Sequence, residues 1–195
     1  MKKLVYLCPV LLLAMLVLVG ASCEVTDTTD TNTTTTNEVT TNTAVDTETA
    51  WTSATDAGTI AETDVSGTLN GEDFVLAHVQ VTNWDEYYSW TFSDTAPDSE
   101  CGVVMDNSAV NFSSKDIQVG TFDATSDDVE FDDYSAYYHY EQENGTPMSV
   151  NVDWTGNIVV TDFDETAGTI EGYVDFEFDD GLTAISGAFS GEVCE

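Results

Sequence analysis

The sequence predicts an all-β protein: a single antiparallel β-sandwich or barrel that follows a disordered, threonine-rich linker. Aromatic and β-branched residues occur in short runs after residue 64, and turn dipeptides such as Asn70-Gly71 separate those runs. Apolar and polar residues alternate within several runs, which is typical of antiparallel strands with one wet face. No stretch of sequence after Cys23 shows the helical period.

Strands are expected wherever aromatic and β-branched residues form a run. These runs are 65–70, 74–82, 87–93, 101–105, 109–113, 117–122, 134–142, 148–154, 157–163, 169–178 and 182–194. In 169–178, apolar residues and glycine occupy one face and carboxylates occupy the other. In 74–82, a single unbroken strand would place Phe74 and His78 on the face opposite Val79. The number and spacing of these runs fit one sandwich or barrel.

Residues 24–64 have the composition of a disordered linker. Threonine fills 17 of these 41 positions, and the segment contains no Lys, Arg or Pro. Trp51 is its main large apolar side chain, so there is too little to bury to offset the entropy of ordering the segment. The sequence therefore predicts a linker that ends at residue 64 and a β domain at 65–195.

The charge of the chain excludes several classes of partner. It has 37 acidic and three basic residues, and Lys115 is the only basic residue after Cys23. Nucleic-acid binding needs Lys and Arg against phosphates, so it is excluded. The same charge disfavours direct docking on anionic lipid head groups. The acidity fits either a saline habitat, where ions screen the self-repulsion, or the binding of a divalent cation.

Residues 1–22 have the three parts of a secretory signal peptide. Lys2 and Lys3 are positive, 4–19 is apolar, and the three residues before Cys23 are small. This ending resembles the lipobox of bacterial lipoproteins, in which the cysteine carries a diacylglycerol. The resemblance implies that a lipid on Cys23 anchors the protein outside the cytoplasm, to the outer membrane or cell surface. A cleaved signal peptide without lipid and an uncleaved anchor helix are the alternatives.

The C-terminal third consists of alternating strands, with turns at Gly168 and Gly181 and with Cys194 near its end. In these features it is similar to the endings of many uncharacterised bacterial lipoproteins. The resemblance implies a small β domain on a tether, at the cell envelope, and it implies no activity.

Two cysteines remain once Cys8 is assigned to the signal peptide and Cys23 to the lipid. Cys101 and Cys194 form an even pair in an oxidising compartment, which predicts a disulfide between them. Two free thiols or a metal-binding pair are the alternatives. No His or Cys stands at ligand spacing beside either cysteine, which disfavours zinc.

The sequence contains no Gly-x-Ser-x-Gly elbow, His-Glu-x-x-His or glycine-rich phosphate loop, so no enzyme is predicted. Weak candidates for binding a small ligand are three ring-bearing residues on strands: His78, His139 and Tyr138. Weak candidates for binding Ca²⁺ are two groups of carboxylates, which suit that ion: Asp127, Asp128, Glu130, Asp132, Asp133, and Asp162, Asp164.

Aromatic residues are dense in two runs of the sequence. The first run holds Trp84, Tyr87, Tyr88 and Trp90, and the second holds Tyr134, Tyr137, Tyr138 and Tyr140. Aromatics on strands are usually core residues or cross-strand pairs. Where such rings are exposed, they suit stacking on a sugar or another ligand.

The leading hypothesis is a lipid-anchored, non-enzymatic domain with a binding or structural role at the cell surface or in the envelope. Its contact with the membrane would be through the lipid, and the sequence does not specify a protein or glycan partner. The runner-up is a domain that binds Ca²⁺ or a small ligand in an acidic, aromatic cleft.

Cys23→Ser is expected to leave the protein exported but to move it from the membrane fraction to the soluble fraction. Without the lipidated cysteine no acyl chains hold the chain to the bilayer. Cell fractionation with detection of the signal peptide checks this, with Cys8→Ser as a control that stays with the membrane. A Cys23→Ser protein that still pellets and keeps residues 1–22 would indicate an uncleaved anchor.

Overall fold

The computed structural model describes residues 51–103 and 108–195. Within these residues the protein is all-β, as predicted, and no helix is present. The strands are β1 (Trp51–Thr52), β2 (Ser66–Leu69), β3 (Glu72–Val75), β4 (His78–Asn83), β5 (Tyr88–Ser93), β6 (Ala109–Ser114), β7 (Gly120–Thr125), β8 (Tyr134–Glu141), β9 (Pro147–Val150), β10 (Trp154–Asp164), β11 (Thr169–Phe178) and β12 (Ala184–Cys194). None of the described segments is a helix that is long and apolar enough to cross a membrane.

The strands belong to one sheet, which is antiparallel at every pairing but one. Its hydrogen-bonded path is β1-β7-β10-β11-β12-β4-β5-β6-β8-β9, and β2 joins β12 and β3 beside that path. The exception is the parallel pairing of β12 with β4. The first part of β12 pairs with β2 and its last residues pair with β4. One long strand therefore changes partner along the same edge and joins the two halves of the sheet.

The inner faces of the two halves meet in an aromatic core. The ring of Phe112 on β6 lies 5.0 Å from that of Phe122 on β7 and 5.5 Å from that of Phe176 on β11. The Trp154 ring on β10 is 6.1 Å from Phe112 and nearly perpendicular to it. Tilted and edge-to-face ring pairs add about 0.5–1.5 kcal/mol each beyond the burial of their surface.

The alternation predicted for 169–178 is confirmed in β11. Ile170, Val174 and Phe178 are buried, whereas Glu171 and Glu177 between them are exposed. The apolar face contributes to the core and the carboxylate face lies in solvent, which is the arrangement expected for an antiparallel strand with one wet face.

The prediction of one unbroken strand at 74–82 is wrong. The chain leaves the strand conformation at Leu76 and Ala77, whose amides donate to Val65 and Ser93 respectively. Before these two residues the chain pairs with β2, and after them it pairs with β5. The alternation of buried and exposed side chains therefore restarts at β4. As a result Phe74 and Val79, expected on opposite faces, are both buried in the core.

The prediction of a disordered linker up to residue 64 is wrong for 51–64. Trp51 is 6% exposed, pairs with Phe122 across β1 and β7, and has its ring 5.7 Å from that of Phe122. Ile60 is also buried, and Asp64 forms a bridge with Ala188 of β12. The fold therefore includes residues from Trp51 onward, because two isolated apolar side chains hold this segment against the sheet. The rest of the predicted linker, with Cys23, lies outside the described residues.

Two further strand predictions differ from the structure. A strand was predicted at 101–105. Residues 101–103 do not form a strand, and residues 104 and 105 lie outside the described residues. The strand predicted at 117–122 instead spans Gly120–Thr125. Gly120 is the first residue of β7. This position requires glycine, because β1 approaches so closely that a Cβ at residue 120 would meet the carbonyl oxygen of Thr52.

Phe112→Ala is expected to lower the free energy of unfolding by about 3–5 kcal/mol, because it leaves a cavity among the rings that join the two halves. Chemical denaturation measures this change. Phe131→Ala is the matched control: Phe131 is 70% exposed, and its loss should change stability by less than about 0.5 kcal/mol. Equal effects of the two variants would contradict the core described above.

Candidate functional site

Cys101 and Cys194 are joined by a disulfide, with their Cα atoms 5.6 Å apart. The predicted bond is confirmed. Cys194 is buried at the end of β12, whereas Cys101 lies in the exposed loop after β5 and has a positive φ of 54°. That conformation is uncommon for a residue other than glycine. The bond fastens the loop to the last strand.

His78 and Glu192 lie beside this disulfide. A carboxylate oxygen of Glu192 is 3.0 Å from His78 Nε2 and accepts a hydrogen bond of 3.0 Å from the backbone amide of Cys101. The parallel register of β12 and β4 sets Glu192 opposite Gln80, two residues from His78. Sequence reasoning did not anticipate this corner, because the four residues come from three distant parts of the chain.

A cleft of about 360 Å³ opens next to the disulfide, on the outer face of β4 and β5. Its floor is formed by neutral polar side chains that alternate with buried ones along the two strands: Gln80, Thr82, Ser89 and Thr91. One wall consists of the disulfide, Gly102 and Val103, and the opposite side carries Trp84. Among the described residues, Glu195 is the one carboxylate of the lining.

Trp84 is 57% exposed and stands on a tightly built turn between β4 and β5. Its amide donates to the Tyr87 carbonyl, and the Asn83 side chain accepts from the Asp85 amide. The Asn83 amide group in turn donates to Glu165 at 3.1 Å. Asp85 has a φ of 66°, an unfavourable conformation that persists only where the surroundings enforce it. These contacts fix the backbone of the turn that carries the exposed indole beside the cleft.

Only one of the two polar atoms of the Gln80 side chain, on the floor of the cleft, has a hydrogen-bond partner among the described residues. Its amide nitrogen donates to Thr82 at 3.2 Å. Its amide oxygen is buried and has no hydrogen-bond partner among the described residues. A buried acceptor without a donor costs about 1–3 kcal/mol. Because this oxygen is closed to solvent, the Gln80 amide group must turn toward the cleft before a hydroxyl group there can pair with it and recover this free energy.

A larger groove of about 690 Å³ lies between the β2–β3 turn and the β8–β9 turn. Its lining includes the carboxylates Glu72, Glu141 and Glu143, together with Tyr140. The rest of the described lining is Leu69, Asn70, Ser108, Gln142 and Asn144, so carboxylate and amide side chains predominate. Asn70 in its lining has a positive φ of 53°, as Asp85 and Cys101 have beside the cleft at Trp84. Among the described residues, however, the groove has no ring as exposed as that of Trp84 and no unsatisfied buried side-chain atom.

Tyr138, a predicted ligand candidate, is a core residue. It is 1% exposed, its ring lies 5.3 Å from that of Phe178, and its hydroxyl donates to Asp180 at 2.5 Å. Burial, followed by the hydrogen bond to Asp180, raises the pKa of this hydroxyl to about 12. Tyr138 therefore ties β8 to the turn between β11 and β12, and a ligand cannot reach it.

The two histidines do not form one site. They stand on the outer face, separated by β5 and β6 in the register His78, Ser93, Ala109, His139, which is about 14 Å at the usual strand spacing. His139 Nδ1 lies 3.0 Å from the side-chain amide of Asn111. Burial lowers the pKa of His139, and the carboxylate of Asp94 opposes this. Neutral His139 accepts from Asn111 and supports the sheet.

The carboxylates predicted for Ca²⁺ do not converge. Asp128 accepts hydrogen bonds from Thr125, Asp133 pairs with Lys115, and Asp164 accepts from Ala167. Each of these contacts closes a local turn or joins neighbouring segments. The remaining candidates are exposed: Asp127, Glu130, Asp132 and Asp162. In the part of the chain that the structure describes, the one group with converging metal-ligand atoms is instead Cys101, Glu192 and Cys194.

Comparison of the chain with protein-family models, curated proteins and solved structures found no match.

Tyr138→Phe is expected to lower the free energy of unfolding at pH 7 by about 1–3 kcal/mol, because it removes the donor to the Asp180 carboxylate. Folding raises the pKa of Tyr138 from 10.0 to about 12, so its contribution is complete below pH 10 and is lost as the pH rises between these values. The difference in the free energy of unfolding between wild type and variant, measured by urea titration, should therefore become smaller above pH 10. Tyr87→Phe, at an exposed ring, is the control and should show no such gap.

Proposed function

We propose that this chain is a lipid-anchored, extracytoplasmic binding domain without enzymatic activity. The cleft beside Trp84 would take a neutral, hydroxyl-rich ligand such as a sugar unit of a glycan. The observation that carries the proposal is an exposed indole on a hydrogen-bonded turn, beside a cleft lined mainly by neutral polar side chains.

The chemistry of the cleft matches the two faces of a sugar. An indole offers a large flat apolar surface, and ligand sites typically combine such a ring with a few well-placed polar groups. The floor supplies the hydroxyls of Thr82, Ser89 and Thr91 and the unsatisfied amide oxygen of Gln80. The C–H face of a sugar ring would lie on Trp84 while its hydroxyls exchange hydrogen bonds with this floor.

Charge argues against an anionic ligand. The formal net charge is −34, which repels anions in solution. Lys115, the only basic residue after Cys23, already pairs with Asp133 at 3.3 Å. No cationic side chain of residues 51–103 or 108–195 lines the cleft, so a phosphate or carboxylate group would be buried there without a partner. The ligand is therefore neutral, or else cationic.

A small organic cation is the second candidate, and one observation favours it. Trp84 also borders a second hollow, of about 440 Å³, together with Asp85 and Glu195. An aromatic face flanked by carboxylates attracts ammonium groups. The two candidates differ in whether the cleft or this hollow is filled, and the binding experiment below separates them.

The proposed location rests on residues 1–23 alone. A charged start, an apolar stretch and small residues before Cys23 support export and lipidation. A domain held at an envelope surface by lipid would meet soluble or surface glycans directly, so the anchor and the cleft fit one role.

Intrinsic fluorescence provides a direct binding test. Three of the four tryptophans, Trp51, Trp90 and Trp154, are buried, whereas Trp84 is exposed. Neutral oligosaccharides that stack on Trp84 should shift the emission, and Trp84→Ala should abolish the shift and weaken binding at least about tenfold, or about 1.4 kcal/mol. Phe131→Ala, which removes an exposed ring elsewhere, should leave binding unchanged.

Gln80→Ala is the second variant, because it removes the unsatisfied oxygen and keeps the indole. It should weaken binding of a saccharide but not of a quaternary ammonium probe. Preference for the ammonium probe over every neutral saccharide would replace the first candidate with the second. Saccharide binding that is equal in wild type and Trp84→Ala would remove the cleft from the proposal.

A further inference from the structure

We propose that the corner formed by Cys101, Cys194, Glu192 and His78 is a zinc-type metal site when its disulfide is reduced. The two sulfurs, the carboxylate and the imidazole would be the four ligands. The site is independent of the sugar cleft proposed above, although the disulfide forms one wall of that cleft.

The ligand atoms are already close together. The sulfur atoms of Cys101 and Cys194 and a carboxylate oxygen of Glu192 all lie within 4.8 Å of one another. His78 Nε2 is 3.0 Å from that carboxylate. Oxygen and nitrogen ligands at their usual distances from a tetrahedral Zn²⁺ are about 3.3 Å apart. The Glu192–His78 pair is therefore near the separation that the ion requires.

The His78 nitrogen is available for this role. Nε2 is buried and, although it lies 3.0 Å from Glu192, it is not in hydrogen-bond geometry with any group of the described residues. A buried imidazole nitrogen without a directed partner is costly. A metal ion between the imidazole and the carboxylate would satisfy both groups.

The change from disulfide to metal site balances chemically. A dithiol or phosphine reductant supplies two electrons, and with two protons the Cys101–Cys194 bond becomes two thiols while the reductant is oxidised. Zn²⁺ then displaces both thiol protons and binds two thiolates. With the Glu192 carboxylate and neutral His78, the occupied site has a charge of −1. The net charge of the corner is also −1 before the ion binds, because the charge of Zn²⁺ is balanced by the two protons that it displaces.

The backbone permits the small movement that this change needs. The two sulfurs must separate to about 3.8 Å, the distance between thiolates on a tetrahedral zinc ion. Cys101 belongs to no strand, and Cys194 is the last residue of β12. Rotation of the Cys101 side chain can open the gap without breaking a strand pairing. The metal would then fasten the loop to β12 in place of the covalent bond.

The decisive experiment compares Zn²⁺ binding by oxidised and phosphine-reduced protein, using a chromophoric chelator as competitor. Reduced wild type should bind one Zn²⁺ per chain at least about 100-fold more tightly than the oxidised form. The oxidised form is the matched control for nonspecific binding to carboxylates, since both forms contain the same 37. Co²⁺ substitution should give a thiolate charge-transfer band in the reduced protein only.

Thermal melting gives a second readout. Reduction should lower Tm, because it removes a cross-link between residues 93 apart in sequence, and Zn²⁺ should restore much of the loss. The double variant Cys101→Ser, Cys194→Ser should show the low Tm without rescue. Trp84→Ala should keep the rescue, which separates this site from the saccharide proposal.

The two other ligands are tested by His78→Ala and Glu192→Gln in the reduced protein. Each should weaken Zn²⁺ binding about 10–100-fold, whereas His139→Ala, at a histidine on the same face of the sheet, should have no effect. Equal Zn²⁺ affinity of reduced wild type and the double serine variant would overturn the site. Unchanged affinity in both His78→Ala and Glu192→Gln would also overturn it, because the metal would then be bound by the cysteines alone.

Discussion

The parallel contact between β4 and β12 is the pairing on which the rest of the domain depends. It joins the half of the sheet that runs through β10 and β11 to the half that runs through β5 and β6. It also places Glu192 beside His78, and brings the end of β12 to the loop that carries Cys101. A parallel pair needs a long crossover connection, and here that connection is most of the domain.

The aromatic core has to offset an unusually large electrostatic cost. Carboxylates on outward positions repel one another over the Debye length, and this repulsion weakens the compact state at low salt. The inner face opposes it with rings such as Trp90, Phe112 and Phe122, all fully buried. Some of the polar groups inside are paired, and the Trp90 indole donates to Ser114 at 2.9 Å. Others, such as the Trp51 indole nitrogen, have no hydrogen-bond partner among the described residues. Burial and charge are therefore separated cleanly between the two faces.

Features of the fold that depend on residues close in sequence could be predicted, and features that depend on distant strand pairings could not. Alternation in β11 follows from neighbouring residues and was predictable, and the disulfide followed from the small number of cysteines. The break at Leu76 and Ala77 was not predictable, because it reflects a change of strand partner rather than a change in the polarity pattern. The order at Trp51 was missed because one tryptophan in a threonine-rich segment does not alter its average composition.

The candidate sites were predicted less well than the fold. Trp84 belonged to a recognised group of aromatics, but period-two patterns in a turn do not distinguish an exposed ring from a buried one. Tyr138 was a candidate for binding a small ligand, although its hydroxyl donates to an aspartate distant in sequence within the domain. The grouping of His78 with Glu192 depends on strand register across the parallel contact, and one sequence does not contain that information.

The partner change along β12 also has a consequence for the timing of folding. Its residues contact β2 and β4 across most of the domain, and the bond from Asn70 to Thr183 spans 113 residues. Proteins dominated by such distant pairings have high contact order and fold slowly. The two halves cannot be joined until β12 is present, so the domain would stay incompletely folded until its last strand has emerged. For the export proposed above this delay would be an advantage, because an early compact intermediate would obstruct passage through a membrane.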